Sequence, residues 1–138
     1  MKSVFCLFVV TMCAATIAAA DPFEMLGASK WVWKSEQTET CEEGSYYSVS
    51  QDRNKIWAEK DTATDVRGTL TKRAKYQVIG YGETYIDMFL ELETWRDSHG
   101  KLVTWRLQFL DDGRFVWIRS DWERGRSTKP NWPCKFSS

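Results

Sequence analysis

Apolar and polar residues alternate with a period of two along most of the chain after residue 30. In "LVTWRLQFL", Val103, Trp105 and Leu107 fall on one face of an extended segment, and the polar residues between them fall on the other. Such alternation is typical of β-strands with one buried face, because successive side chains point to opposite sides of a sheet. No segment beyond the N-terminus shows a convincing helical period. The pattern therefore predicts an all-β chain.

Eight short segments carry this pattern, and turn-forming residues separate them. Gly100 in "RDSHGK" suits a tight hairpin because glycine adopts a positive φ without strain, and "DDGR" suits another. The C-terminal stretch "RGRSTKPNWPCKFSS" is expected to form a loop. The predicted strands are "KWVWKSE", "SYYSVS", "KIWAEK", the weaker "DVRGTLTK", "AKYQVIG", "TYIDMFLELETW", "LVTWRLQFL" and "FVWIRSDW".

The short connections between these segments predict that neighbouring strands are antiparallel. Eight meandering strands favour a closed barrel, because closure removes unpaired strand edges. We therefore predict an antiparallel up-and-down barrel of about eight strands, whose interior is just wide enough for side chains or one small ligand. A short helical turn should precede it in "DPFEMLG", where Asp21 can cap and Pro22 suits the first helical position.

Residues 1–20 have the composition of a secretory signal peptide. A positive N-terminus precedes an apolar core, and Ala18–Ala20 offer a cleavage site, so Asp21 would be the first mature residue. A lipid anchor at Cys13 is disfavoured because a large residue precedes it. The apolar core is too short for a comfortable membrane span, and the sequence contains no other candidate span. We expect residues 21–138 to form one secreted or periplasmic domain.

The charges of the mature segment nearly balance. The full chain has 19 Lys and Arg against 19 Asp and Glu, and cleavage after residue 20 removes one basic residue, Lys2, which leaves a net charge of −1. General binders of nucleic acid or anionic membranes need a basic excess. The composition therefore predicts no nucleic-acid partner.

Two cysteines remain in the mature segment, Cys41 and Cys134. An even pair in an exported chain predicts one disulfide. This link would close a loop of about ninety residues, for which the loop-entropy model gives roughly 4–5 kcal/mol of stabilisation. Two free buried thiols are the alternative. The wide spacing is not that of a zinc site.

Residues typical of catalysis are sparse in this sequence. His99, the one histidine, lies in a predicted hairpin loop, and no nucleophile-elbow, zinc-protease or nucleotide-binding motif occurs. Glu91 and Glu93 are expected on the outer face of a strand, and Asp111 and Asp112 in a turn. Neither pair is forced into the facing geometry that a glycosidase needs. We predict no catalytic residue, no metal and no cofactor.

Eight tryptophans are the most distinctive feature of the composition. Trp105 and Trp117, on neighbouring predicted strands, can fill a packed core, line an internal cavity or stack on an external ligand. If a cavity exists, its wall would include residues of several other strands, with an arginine at the mouth to orient the ligand. The predicted ligand-binding residues are Trp33, Tyr76, Met88, Trp105, Trp117 and Arg119.

Four further tryptophans lie near turns or strand ends, where the mouth of a barrel would be. There they can close the barrel or stack on a sugar or a flat apolar ligand. Arg119 belongs to a run of alternating charge, which is either a solvated strand end or a clamp for an anion. These four tryptophans are Trp57, Trp95, Trp122 and Trp132.

The segment "RFVWIRSDW" is apolar on both faces at its start, although the outer face of a barrel should be polar. Val116 and Ile118 would point outward, so another group should cover them. The cover could be the ends of the chain itself, held in place by the Cys41–Cys134 link. It could also be a protein partner or a second copy of the chain in a homodimer.

The whole mature segment resembles a reduced calycin or lipocalin. It has an eight-strand meander, a short N-terminal turn and the opening "LGASKWVW", which is similar to the Gly-x-Trp opening of lipocalins. Gly27 precedes Trp31 by four residues where the family has two, and the long C-terminal helix of lipocalins is absent. The resemblance implies binding of apolar small molecules, and it implies that Arg119 packs on Trp31 or Trp33. The pattern also fits exported bacterial proteins of this size.

The leading hypothesis is a non-enzymatic exported barrel that binds a small, mostly apolar ligand. A second hypothesis is a fully packed barrel that acts as a protein-interaction module through its Val116 and Ile118 face. A third is a carbohydrate-binding module that uses the aromatic residues at its mouth.

Overall fold

The computed structural model describes residues 20–33, 44–60 and 73–134. It shows a closed barrel in which each strand pairs with the next and the last pairs with the first, antiparallel throughout. The predicted fold class and the short N-terminal helix are confirmed. The elements are α1 (Pro22–Gly27), β1 (Trp31–Trp33), β2 (Ser45–Val49), β3 (Lys55–Lys60), β4 (Arg73–Tyr81), β5 (Tyr85–Leu90), β6 (Trp105–Phe109), β7 (Phe115–Arg119) and β8 (Asn131–Pro133).

The strand that closes the barrel lies in the C-terminal stretch that was predicted to be a loop. β8 pairs with β1 through Val32 and Trp132 and with β7 through Phe115 and Asn131. This part of the prediction is wrong because a three-residue strand next to proline has too few residues to show alternation. Proline is tolerated at the end of such a strand. The predicted strand "DVRGTLTK" lies outside the described residues.

β5 is shorter than its sequence pattern predicts. Alternation continues to Leu92, but β5 ends at Leu90. Continued alternation would place Leu92 on the same inner face as Met88 and Leu90, but Leu92 has a φ of +72° and is 93% exposed, so this expectation is wrong. A positive φ breaks an extended segment, and the chain leaves the barrel wall here. This departure brings the residues after Leu92 to one end of the barrel.

The inner face of the barrel is an apolar core. Directly paired residues on neighbouring strands share a face, so the pairs Met88–Trp105 and Leu107–Trp117 both point inward. Near α1, Trp31 packs edge-on against Phe115, with ring centroids 4.7 Å apart. The fully buried residues of this core are Leu26, Ile56, Ile86, Met88, Leu107 and Phe115.

Helix α1 covers one end of the barrel. Its side chains Phe23 and Leu26 are buried, and the Trp31 indole N–H donates to the Leu26 carbonyl oxygen at 2.9 Å. Asp21 caps the helix by accepting from the Glu24 backbone N–H at 2.9 Å. No helix in the described ranges has the length and apolar character that crossing a bilayer requires.

The N-cap carboxylate should contribute to stability in a pH-dependent way. The Glu24 backbone hydrogen bond, and then the Arg53 guanidinium at 2.6 Å, lower the pKa of Asp21. A lowered folded-state pKa means that the stabilisation is complete above the unfolded value of about 3.9 and is lost as the pH falls through the folded value.

We therefore expect Asp21→Ala to lower the free energy of unfolding by about 1 kcal/mol at neutral pH, because the helix loses its cap. The difference from the wild type should shrink as the pH falls below the unfolded value and through the lower folded value. Urea unfolding of both proteins at several pH values measures it, with exposed Glu83→Ala as the control. A difference that does not depend on pH would contradict the role of the ionised carboxylate.

The outer apolar face of β7 is partly covered within the single chain. Val116 is buried and Ile118 is half-buried. β8 lies beside β7, and its Trp132 ring carries the Arg114 guanidinium at 4.7 Å. The C-terminal segment of the chain is therefore the neighbour of β7 within the sheet, and whether it covers Val116 and Ile118 stays a prediction. Cys41, the predicted partner of the buried Cys134, lies outside the described residues.

Candidate functional site

The two ends of the barrel differ in their chemistry. Helix α1 covers one end, and the end opposite to it is named here the distal end. β5 and β7 run toward the distal end, so the connections 91–104 and 120–130 lie there. These connections carry aromatic and charged residues in close contact. The distal end therefore offers grouped aromatic and charged side chains that could bind a ligand.

Four aromatic rings form a continuous row from the interior to the distal end. Tyr76 stacks on Trp117 with centroids 5.6 Å apart and planes 25° apart. Trp105 meets Trp117 edge-on at 6.1 Å and Trp122 edge-on at 5.7 Å. Edge-to-face and offset contacts of this length are favourable because the positive ring edge faces the negative ring face. The row is therefore a packed aromatic wall.

Arg119 joins this row to a further indole at the surface. Its guanidinium lies 4.2 Å from the Trp95 ring centroid, 5.8 Å from that of Trp105 and 5.9 Å from that of Trp122. A cation over an indole face is attracted by the ring quadrupole. Trp95 is 58% exposed, so Arg119 leaves much of this ring open to solvent. We name Trp95, Trp105, Trp117, Trp122 and Arg119 the distal cluster.

The charge of Arg119 is already neutralised within the cluster. Its Nε and Nη2 atoms donate to the two carboxylate oxygens of Asp121, both at 2.6 Å. This two-pronged hydrogen bond raises the pKa of Arg119 and lowers that of Asp121, so both groups stay ionised. An anionic ligand would have to compete with Asp121 for the guanidinium. The pairing therefore makes Arg119 a support for Trp95 rather than a free anion clamp.

The polar groups of the wall are either hydrogen-bonded or uncharged near neutral pH. The Trp105 indole N–H donates to a Glu93 carboxylate oxygen at 3.3 Å, so Glu93 turns toward the wall rather than outward as the sequence predicted. Burial, and then the charge of Glu93, raises the pKa of Tyr76 to about 12. Burial also raises the pKa of Tyr47. Both phenols are therefore neutral near pH 7.

The structure brings most of the predicted ligand-binding residues together. Tyr76, Trp105, Trp117 and Arg119 are in contact at or near the distal end. Met88 is fully buried as the strand partner of Trp105. These five therefore form one continuous region.

Trp33 differs from those five residues because it is 61% exposed at the end of β1.

Trp95 and Trp122 were expected near a mouth and do lie at the distal end. Asp121 and Glu93 were not predicted to belong to the site. A charged residue two positions from Arg119 was the available signal for Asp121, but the sequence could not show the direction of its side chain.

The expected packing of Arg119 on Trp31 is wrong, and the indole rings near its guanidinium are those of Trp95, Trp105 and Trp122. Trp31 lies beside α1 and packs on Phe109 and Phe115. Arg119 stands four residues beyond Phe115 along β7, which is about 13 Å in an extended strand. The tryptophan and the arginine therefore lie toward opposite ends of the barrel.

His99 lies in a surface turn. The Asp97 carboxylate accepts from the backbone N–H groups of His99 at 2.8 Å and Lys101 at 2.9 Å, which is a turn-forming arrangement. Within residues 20–33, 44–60 and 73–134, no three His, Cys, Asp or Glu side chains are grouped closely enough to hold a metal ion. The distal cluster is therefore the candidate site on which the functional argument rests.

Fold and site together define a class of protein, a small closed antiparallel barrel with an aromatic and arginine cluster at one end. No family model matches the chain, and the comparisons with curated proteins and with solved structures found no significant match. The structure agrees with the resemblance to calycins in one feature, the small closed antiparallel barrel.

Proposed function

We propose that this chain is a non-enzymatic exported protein that binds a small, mostly apolar ligand at the distal end of its barrel. The observation that carries the proposal is the unbroken contact from the inner rings Tyr76 and Trp117 to the exposed indole of Trp95. Ligand sites are commonly lined by aromatic side chains with a few placed polar groups. The distal cluster has this composition.

The size of the exposed ring limits what a single stacking contact can contribute. A flat ligand on one indole face would remove about 150 Å² of apolar surface from water, worth about 4 kcal/mol at 25 cal/mol per Å². Even before the entropic cost of association is subtracted, this corresponds to a dissociation constant no lower than about 1 mM. Tighter binding requires the ligand to reach Trp105 or Trp122 as well, so the proposed site includes the inner rings.

The charge state of the cluster favours a neutral ligand. Arg119 and Asp121 compensate each other through two short hydrogen bonds. A carboxylate ligand would have to separate this pair, and the lost interaction would weaken its binding. A neutral ligand leaves the pair intact. Arg119 then acts as a positioning residue that holds the Trp95 ring.

The export part of the proposal rests on residues 1–20. The first element of the fold begins at Pro22 with Asp21 as its cap, so cleavage after Ala20 would leave every described helix and strand intact. We also propose kinship with the calycin barrels, which the opening "LGASKWVW" and the helix over one barrel end support.

We expect Trp95→Ala to weaken binding of a neutral apolar probe by at least about tenfold, because truncation removes the exposed indole face on which the probe stacks. The probe is N-phenyl-1-naphthylamine, followed by its own emission, with purified mature protein. The control is Tyr81→Ala, which removes a ring of similar exposure (55%) near α1 and should change the affinity by less than about twofold.

Two results would contradict the proposal. Failure of the wild type to bind any neutral apolar probe would favour a solid barrel that acts through a protein partner. Equal losses in the Trp95 and Tyr81 variants would mean that the probe binds elsewhere. The anionic sulfonate analogue of the probe tests the charge argument, and it should bind more weakly than the neutral form.

A further inference from the structure

Asn131 is a polar residue that points into the apolar interior of the barrel. It is the first residue of β8 and pairs directly with Phe115 of β7, which is fully buried, so both side chains face inward. On its other side it pairs with Trp33 of β1. Only 6% of Asn131 is exposed.

The side-chain amide of Asn131 is not satisfied by the protein. Its Nδ2 atom is buried and has no hydrogen-bond partner among the residues that the structure describes. Buried polar groups are nearly always hydrogen-bonded, and an unpaired donor destabilises the folded state. A leucine of similar size would fill the same space without this penalty. An acceptor that arrives with a bound molecule would remove it.

The surroundings of Asn131 connect it to the proposed site. Its strand partner Phe115 contacts Tyr47 and Trp117, each with ring centroids 6.0 Å away. Trp117 belongs to the distal cluster, so the amide lies one strand away from the aromatic wall. The partner on the other side, Trp33, is 61% exposed, so little of its side chain is packed on that side of Asn131. Trp117 stands two residues beyond Phe115 along β7, which is about 7 Å in an extended strand. A ligand whose apolar part lies against Trp117 would have to extend this far toward α1 to place a polar atom on the amide.

We propose that Asn131 donates a hydrogen bond to a neutral oxygen of the ligand, such as a carbonyl, ether or hydroxyl oxygen. This inference rests on the proposed function and specifies its ligand class, a flat apolar molecule with one neutral acceptor. A neutral acceptor fits because an amide carries no charge to compensate a buried carboxylate. The Arg119 guanidinium is already paired with Asp121.

Two probes of nearly the same shape test this inference, 2-acetylnaphthalene and 2-ethylnaphthalene. They differ in one carbonyl oxygen, and their affinities for the mature protein are measured by isothermal titration calorimetry. The wild type should prefer the acetyl compound by about tenfold, the effect of one hydrogen bond to a buried donor. Asn131→Leu should abolish this preference and leave the affinity for the ethyl compound within about twofold.

The matched control is Asn54→Leu, the same substitution in an exposed turn, which should keep the preference. A preference that persists in Asn131→Leu overturns the inference. Equal binding of both probes by the wild type also overturns the inference. In that case Asn131 would bind only a buried water, and the proposed function would still stand. Binding of neither probe refutes the proposed function and this inference with it.

A measurement on the wild type covers the case in which Asn131→Leu does not fold. The side-chain amide resonances of Asn131 are followed by ¹⁵N–¹H NMR during titration with each probe. A shift with the acetyl compound that is larger than the shift with the ethyl compound supports the hydrogen bond. Equal shifts, or none, overturn it.

Discussion

Replacing Phe115 with alanine is expected to lower the free energy of unfolding by about 3–5 kcal/mol. The ring is fully buried where β7 begins, and it meets four other rings edge-on at centroid distances of 4.7–6.0 Å. Truncation removes these contacts and leaves a cavity. The surrounding residues of a closed barrel can fill this cavity only in part. The four rings are those of Trp31, Tyr47, Phe109 and Trp117.

Urea unfolding, followed by far-ultraviolet circular dichroism, measures this loss. The matched control is Phe89→Ala on the outer face of β5, where the ring is half-buried and the expected loss is about 1 kcal/mol. A domain of this size has a total stability of about 5–15 kcal/mol, so the Phe115 variant should lose a large part of it. Equal losses in the two variants would show that Phe115 is not the centre of the core.

Removing the proposed Cys41–Cys134 disulfide is expected to have an effect of similar size. The loop-entropy model gives roughly 4–5 kcal/mol for a link across about ninety residues, because the unfolded chain loses much of its freedom. Cys134 is buried directly after β8, and its backbone N–H donates to the Lys30 carbonyl oxygen at 2.7 Å. The link would therefore hold the closing strand of the barrel.

We expect Cys134→Ala, Cys41→Ala and the double variant to lose the same stability, because each breaks the same bond. Urea unfolding under oxidising conditions gives the three values, and reduction of the wild type should give a similar loss. Additive losses in the double variant would contradict the disulfide. Two free thiols in the intact wild type, detected by alkylation and mass spectrometry, would contradict it directly.

The candidate site illustrates which residues periodicity can place. Trp105 lies on the inner face that the alternation of β6 predicted. β7 is apolar on both faces, so only its pairing with β6, where Trp117 is opposite the buried Leu107, shows that Trp117 is inward. Glu93 continues the alternation of β5, so the pattern placed it on an outer strand face. The strand ends before it, and its carboxylate instead accepts from the Trp105 indole. Periodicity shows which face a residue takes within a strand, but it does not show where the strand ends.

The sequence by itself determined the all-β architecture of this protein. Alternating residues and turn-forming residues act over a few positions, so their effects can be read without knowing the rest of the chain. The same local signals located the helix cap at Asp21 and the inward face of β6. Most of the strands and the aromatic composition of one wall followed from them.

Only the tertiary structure decided which distant residues meet. Two features join segments far apart in the chain: the closure of the barrel by Asn131–Pro133 and the contact of Arg119 with Trp95. The burial of the unpaired Asn131 amide is a consequence of that closure. Such contacts depend on barrel closure and on the course of the connections after β5 and β7. No local pattern encodes them, because the energy that fixes them comes from packing between strands and not from the conformational preference of any one segment.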